Sequence, residues 1–213
     1  MEVKRIATNV SHFLILSLAI NVFTSSTPKT TATAPVSYTN YRAFVKTACN
    51  ATTYPMMCYN SLSSYATAIK ANPIKLCTTA LSLNVKVAKE ASSVVSKLLK
   101  KTQKPYGGGG SIQRPETLIL RDCLDEIKDT IDELKQATVE MKNISRSSGD
   151  KGERVTNART FLSSALTDET TCTDGFDEMT KVNADTKKKV KKVILNLSRT
   201  TSNALALVTA LRY

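Results

Sequence analysis

Four long stretches of this chain repeat apolar residues every three or four positions, and that spacing constrains the fold more than any other feature. The first follows Asn72-Pro73, a good helix start, because Asn can cap free N–H groups and Pro loses nothing at the first helical position. It carries Leu76, Ala80, Leu83, Val87, Ala91, Val94 and Leu98, and should stop before Pro105. The second opens near Pro115-Glu116 and sets Leu120, Leu124, Ile127, Ile131, Leu134, Thr138 and Met141 along a heptad seam. The third, capped by Asp150, carries Val155, Ala158, Leu162 and Ala165. Its stripe is interrupted near Thr167-Asp168, which predicts a kink or restart running on through Cys172, Phe176 and Met179. The fourth, from about Asp185, carries Val190, Val193, Leu197, Thr200, Ala204, Leu207 and Leu211. No segment alternates with period two. Four amphipathic helices on short connectors predict an all-α, antiparallel up-down four-helix bundle over 72–211.

The remaining segments are read as follows. Residues 1–26 have the layout of an export signal, with Lys4 and Arg5, then an apolar run from Phe13 to Phe23, then Thr24, Ser25 and Ser26. That run is about 11 residues, against roughly 20 for a spanning helix, so no membrane anchor is expected in the mature form. Residues 27–39, rich in Thr, Ala and Pro, predict a flexible leader, with order beginning near Tyr41. Two short helices, Tyr41–Ala48 and Pro55–Ala66, should flank the turn CNATTYP. Gly107 to Gly110 lack the Lys-Ser/Thr of a phosphate loop and read as a connector.

The only histidine, His12, lies in the export signal. A mature chain without imidazole excludes Ser-His-Asp and Cys-His catalysis and any His-ligated metal site, so no catalytic residue, metal or cofactor is expected. Export makes disulfides expected, although the count of five cysteines alone leaves open which one is odd. A bond between Cys123 and Cys172 would join the second and third long helices and close a loop worth about 4 kcal/mol in the chain-entropy account.

The net charge is +12, and loss of Glu2, Lys4 and Arg5 with the signal lowers it by one. Acid gathers at Asp122, Asp125, Glu126, Asp129, Asp132 and Glu133. This is either a solvated face or a strip onto which a basic partner is steered. Lysine gathers at Lys187, Lys188, Lys189, Lys191 and Lys192, and again at Lys97, Lys100, Lys101 and Lys104. No nucleic-acid signature accompanies these lysines, and contact with an acidic wall polysaccharide is the alternative to a merely solubilising face. Of three glycosylation sequons, at Asn50, Asn143 and Asn196, Asn143 is preferred because it is expected in a loop that ends a helix.

CNATTYPMMC, DCLDEIKDTIDEL, FLSSALTDETTCTDGF and NLSRTTSNALALV stand in the order found in the plant invertase and pectin methylesterase inhibitor family, which the chain resembles over roughly residues 40–211. The resemblance implies an inhibitor domain at 40–213, with a helical hairpin at 40–68 ahead of the bundle. It implies disulfides Cys49–Cys58 and Cys123–Cys172, with Cys77 left as a free thiol expected to be buried and inert. It also implies a protein that is not an enzyme, secreted to the apoplast and wall, which forms a 1:1 complex with a pectin methylesterase and plugs its substrate cleft. Thr171, matching the Thr that precedes the family's fourth Cys, would be a contact, with Asp168 and Glu169 beside it. Capping of a restarted helix is the plain alternative for these two acids. TCTDGFDEM and SRTTSNALAL are similar to the esterase-inhibiting branch, and the Pro-Lys-Phe element of invertase inhibitors is missing, so acid invertase is the second target. A non-inhibitory pectin-binding wall protein is the third reading. Because the chain ends at Tyr213 without a basic processing site or catalytic domain, a free-standing inhibitor is expected rather than an esterase pro-region.

Overall fold

The structure, a computed structural model, describes residues 36–102, 115–144 and 149–213; the export signal read at 1–26 and the glycine run lie outside them. Helix α1 (Val36–Asn50) begins earlier than Tyr41, so residues 36–39, assigned to a flexible leader, are helical instead. The reason is local. The Arg42 guanidinium sits 5.8 Å from the ring centroid of Tyr38, an i,i+4 contact that requires the helix to run back that far.

The single helix expected over Pro55–Ala66 is broken into α2 (Pro55–Leu62), a 3-10 turn (Ser63–Tyr65) and α3 (Ala66–Ile69). Three serines lie at this break, and serine hydroxyls compete for backbone groups; Ser61 Oγ donates to the Met57 carbonyl at 2.8 Å. Cys49 and Cys58 are bonded across the turn between α1 and α2, with Cα atoms 5.5 Å apart. Lys70 and Ala71, with φ of 52° and 54°, then reverse the chain into the bundle.

The bundle consists of α4 (Pro73–Thr102), α5 (Pro115–Ile144), α6 (Lys151–Glu178) and α7 (Ala184–Thr209). Side chains cap the helix starts, at Asn72 and Asp150 as the sequence suggests and at Asn183, which the sequence reading did not single out. Asn72 Oδ1 accepts from the Lys75 N–H at 2.9 Å, Asp150 Oδ1 from Gly152 at 2.7 Å, and Asn183 Oδ1 from Asp185 at 2.9 Å. At 1.5 Å per residue, α4 and α5 are each about 45 Å long. In cross-section the four form a square, in which α4 and α6 are each flanked by α5 and α7. Leu81, Ile127, Leu162 and Leu197 are fully buried core side chains, one from each helix; each contributes roughly 1.5–3 kcal/mol. Among the described residues, no helix is long and apolar enough to cross a membrane.

Two expectations are corrected. The buried residues of α4 are Leu76, Cys77, Leu81, Asn84, Ala88, Ala91, Val95 and Leu98; Leu76, Ala91 and Leu98 of the predicted stripe are among them, whereas Ala80, Leu83, Val87 and Val94 are only partly buried. The polar Asn84 sits inside that buried set, which hides it from a search for apolar spacing. The kink expected at Thr167-Asp168 is absent, and α6 runs unbroken from Lys151 to Glu178. The polar stretch contains one buried hydrogen-bonding position, Glu169, instead of a break. Thr167, Thr170 and Thr171 each return the hydroxyl to a carbonyl four residues back, at 2.8–3.2 Å, so they leave the helix ladder intact.

Candidate partner-binding face

Helices α5 and α6 run antiparallel and are joined by the Cys123–Cys172 bond, with Cα atoms 4.5 Å apart. Close approach extends along the seam. A Cβ on Gly175 would lie 2.5 Å from Ile119 Cδ1, so the end of the Ile119 side chain packs against the bare backbone of α6 there. The acidic residues of α5 then divide into two rows. Asp125 and Asp132 pair with Lys128 and Lys135 one turn on, at 2.6 and 2.7 Å, on the open surface. Asp122, Glu126, Asp129 and Glu133, spaced by four, three and four, form the other row, and no ion pair among the described residues includes them.

This second row faces Asp168 of α6. Asp168 Oδ2 and Glu133 Oε2 are both shut off from solvent, and the two carboxyls face each other closely enough to share a hydrogen bond when one is protonated. Burial, and then Glu133 and Asp129, push the Asp168 carboxyl up to about 7, so this seam holds a proton at mildly acidic pH. Glu126 is raised too, by burial and by Asp168. Thr171, one turn along from Asp168 on the same side of α6, is exposed, and its hydroxyl donates to the Thr167 carbonyl at 3.0 Å. Thus Asp168 and Thr171 share a surface with the α5 acids, and neither caps a helix. The extent of the cluster was missed in the sequence because it is assembled across two helices. The spacing of four, three and four was the available signal.

Glu169 does not belong to this surface. It is 1% exposed and points into the bundle, so the expectation that it touches a partner is withdrawn. Thr201 Oγ1 of α7 donates to Glu169 Oε1 at 2.6 Å. Asn84 Nδ2 of α4 donates to Thr201 Oγ1 at 2.9 Å, and Thr200 Oγ1 donates to Asn84 Oδ1 at 2.6 Å. Burial pushes the Glu169 carboxyl up to about 7 against the opposing pull of its hydroxyl donors Thr201 and Ser198. A glutamate shifted toward its protonated form and tying α6 to α7 and α4 is a structural element of the core.

On the opposite seam, Asn203 of α7 makes a reciprocal pair with Tyr54: its Oδ1 accepts from the Tyr54 N–H at 2.8 Å and its Nδ2 donates to the Tyr54 carbonyl at 3.0 Å. The hairpin is thereby pinned to the bundle. Cys77 is buried and its thiol is pushed up to about 12 by burial, which leaves it without thiolate character. Asn143 lies half-buried in the last turn of α5 and not in a loop, whereas Asn50 and Asn196 are exposed. No group of three or more His, Cys, Asp or Glu among the described residues is arranged to hold a metal ion.

The sequence model for "Plant invertase/pectin methylesterase inhibitor" matches residues 43–207, which spans the hairpin and all four bundle helices. The chain belongs to this family. Within the plant invertase/pectin methylesterase inhibitor family it is 57% identical over 199 residues to Pectinesterase inhibitor 4 of Arabidopsis thaliana, covering 92% of this chain and 96% of that one. It is 39% identical over 166 residues to a 21 kDa protein of Daucus carota, covering 78% and 81%. A crystal structure of a mutant form of a pectin methylesterase inhibitor from Arabidopsis superposes with a TM-score of 0.56 at 18% identity, over 79% of this chain and 97% of that one. That likeness supports the fold, a helical bundle preceded by a hairpin.

Proposed function

We propose that this chain is a secreted inhibitor of plant pectin methylesterase that works by forming a 1:1 complex and performs no catalysis of its own. The observation that carries the reading is the 57% identity to a pectinesterase inhibitor along nearly the full length of both chains. The geometry adds a surface. The α5–α6 seam presents Asp122, Glu126 and Asp129 beside the exposed Thr171, with Asp168 between them, on a support stiffened by a disulfide. Such a rigid, unpaired acidic strip steers a basic partner and loses little conformational freedom on docking. In this reading the strip lies across the esterase cleft and excludes pectin.

Titrating a purified plant pectin methylesterase with the protein at mildly acidic pH tests this. Methanol release should fall linearly to a plateau at one equivalent. Undiminished release at excess protein, or loss of sucrose cleavage when an acid invertase is titrated in its place, would reject the esterase assignment. Thr171→Arg should weaken inhibition at least about tenfold, or 1.4 kcal/mol, because a bulky cation then stands at the centre of the docking strip.

A further inference from the structure

The lysine clusters are not used by the esterase reading, and the fold brings them together. Helix α4 carries six lysines against one glutamate, and α7 carries five lysines and one arginine against one aspartate. Helix α5 carries eight acids against four bases, and α6 six against three. Because α4 packs on α7 and α5 on α6, the bundle has one basic half and one acidic half. Charge is sorted by side.

The basic half contains a groove. Val87, Glu90, Val94, Leu195, Lys192 and Arg199 line a cleft of about 400 Å³ between α4 and α7, in which Glu90 is the one acid against two cations. Leu195 is 49% exposed there. The antiparallel register that places Val94 and Lys192 on this groove brings the last two turns of α4 level with the first two turns of α7. Exposed Lys97, Lys100 and Lys101 therefore stand at the same end as exposed Lys188, Lys189 and Lys192. Lys188, Lys192 and Arg199 form one row about 16 Å long at 1.5 Å per residue.

Helix stability does not account for this row. Lysines at the C-terminus of α4 complement its dipole, but five lysines in the first turns of α7 oppose the partial positive charge of that helix end. Among the described residues, Lys187 and Lys191 alone of these five form ion pairs, both with Asp177 at 3.0 and 2.7 Å. Local preference is violated where a function is the compensating gain.

We propose that the α4–α7 groove binds a linear polyuronate, taking its carboxylates on Lys97, Lys101, Lys188 and Lys192 and the apolar faces of its sugar rings on Val87, Val94 and Leu195. The choice of polyuronate rests on the esterase reading, since hydrolysis of pectin methyl esters leaves this polymer of carboxylates. The site is remote from the α5–α6 strip, so the protein can dwell on the product of its target while that strip remains free. It concentrates the inhibitor where pectin has already been de-esterified.

The test is retention of the purified protein on immobilised polygalacturonate and on fully methyl-esterified pectin, with anionic phospholipid vesicles and single-stranded RNA as competitors. Retention should be confined to polygalacturonate and fall about tenfold as ionic strength rises past 0.1 M, where the screening length is about 10 Å. Lys188→Gln with Lys192→Gln, and separately Lys97→Gln with Lys101→Gln, should each weaken retention about tenfold. Lys135→Gln with Lys142→Gln on α5 should change it less than twofold. Equal loss from the α5 pair, equal retention on the esterified polymer, or stronger competition by vesicles or RNA would overturn the proposal. Both groove variants should inhibit an esterase as the parent does, which also shows that they are folded. Retention without inhibition by the parent would reject the esterase reading and leave the polyanion site standing.

Discussion

The two halves of the bundle solve the same packing problem with different chemistry. Between α5 and α6 the helices are joined by a disulfide, and their shared rim is acidic, partly buried and poor in counter-ions. Between α4 and α7 there is no covalent link. A polar chain through Asn84, Thr200 and Thr201 occupies the inside, and the outside is an open, basic groove. The contrast teaches that rigidity and charge were placed independently. The acidic half is built to hold one shape, and the basic half is built to expose cations.

The largest expected effect breaks the covalent half of this comparison. Replacing Cys123 and Cys172 with alanine opens a bridge spanning 49 residues of sequence, for which the chain-entropy model gives a loss of about 4 kcal/mol. Chemical denaturation should show it, with the α5–α6 acids losing their alignment and esterase inhibition weakening in parallel. Unchanged stability would mean that helix packing alone holds the seam.

Next comes the buried acid that links the halves. The Glu169 carboxyl, raised from 4.5 to about 7, is favoured in its protonated form by the folded state. Its contribution is therefore fully present below about pH 4.5 and is lost as pH rises through 7, by up to about 3 kcal/mol. Asp168, raised to about 7 as well, acts with the same sign. Glu169→Gln should flatten the fall in melting temperature between pH 5 and 7. A curve that is equally steep in the variant would assign that dependence to another group, and none among the described residues is an imidazole.

Smaller effects concern attachment and fit. Asn203→Ala removes both hydrogen bonds to Tyr54 and should cost about 1–3 kcal/mol, concentrated in faster hydrogen exchange across α1 and α2. Uniform loss of protection would show that the hairpin and the bundle melt as one unit. Gly175→Ala should cost only about 1 kcal/mol, because the atom it meets, Ile119 Cδ1, is the end of a side chain that can turn aside.

The architecture could be read from the sequence wherever apolar residues carry the information. The spacing from Val155 to Ala165 gives a helix with its buried face and Asp150 marks its start, whereas on α7 the predicted Val190, Leu197, Ala204 and Leu207 are buried but Val193 and Thr200 are only partly so and Leu211 lies beyond the helix end. What escaped the pattern is polar. Asn84 was passed over on the buried face of α4, and Glu169 imitated a helix break, because a buried polar residue satisfied by a partner on another helix looks in sequence like a gap in a stripe. The acidic strip was visible as composition, but its partition into a paired and an unpaired row depends on which side α6 packs. Of the three contacts proposed through family resemblance, Thr171 and Asp168 lie at the α5–α6 surface and Glu169 is buried, since adjacent positions on a helix point about 100° apart.

One measurement tests the division between the halves most directly. A purified plant pectin methylesterase is titrated in parallel with the parent protein, with Glu126→Lys plus Asp129→Lys, and with Lys188→Gln plus Lys192→Gln, all at one mildly acidic pH. The account predicts stoichiometric inhibition by the parent and by the lysine variant, and at least about a tenfold loss for the acidic-strip variant. Full inhibition by the acidic-strip variant, or loss confined to the lysine variant, would contradict it.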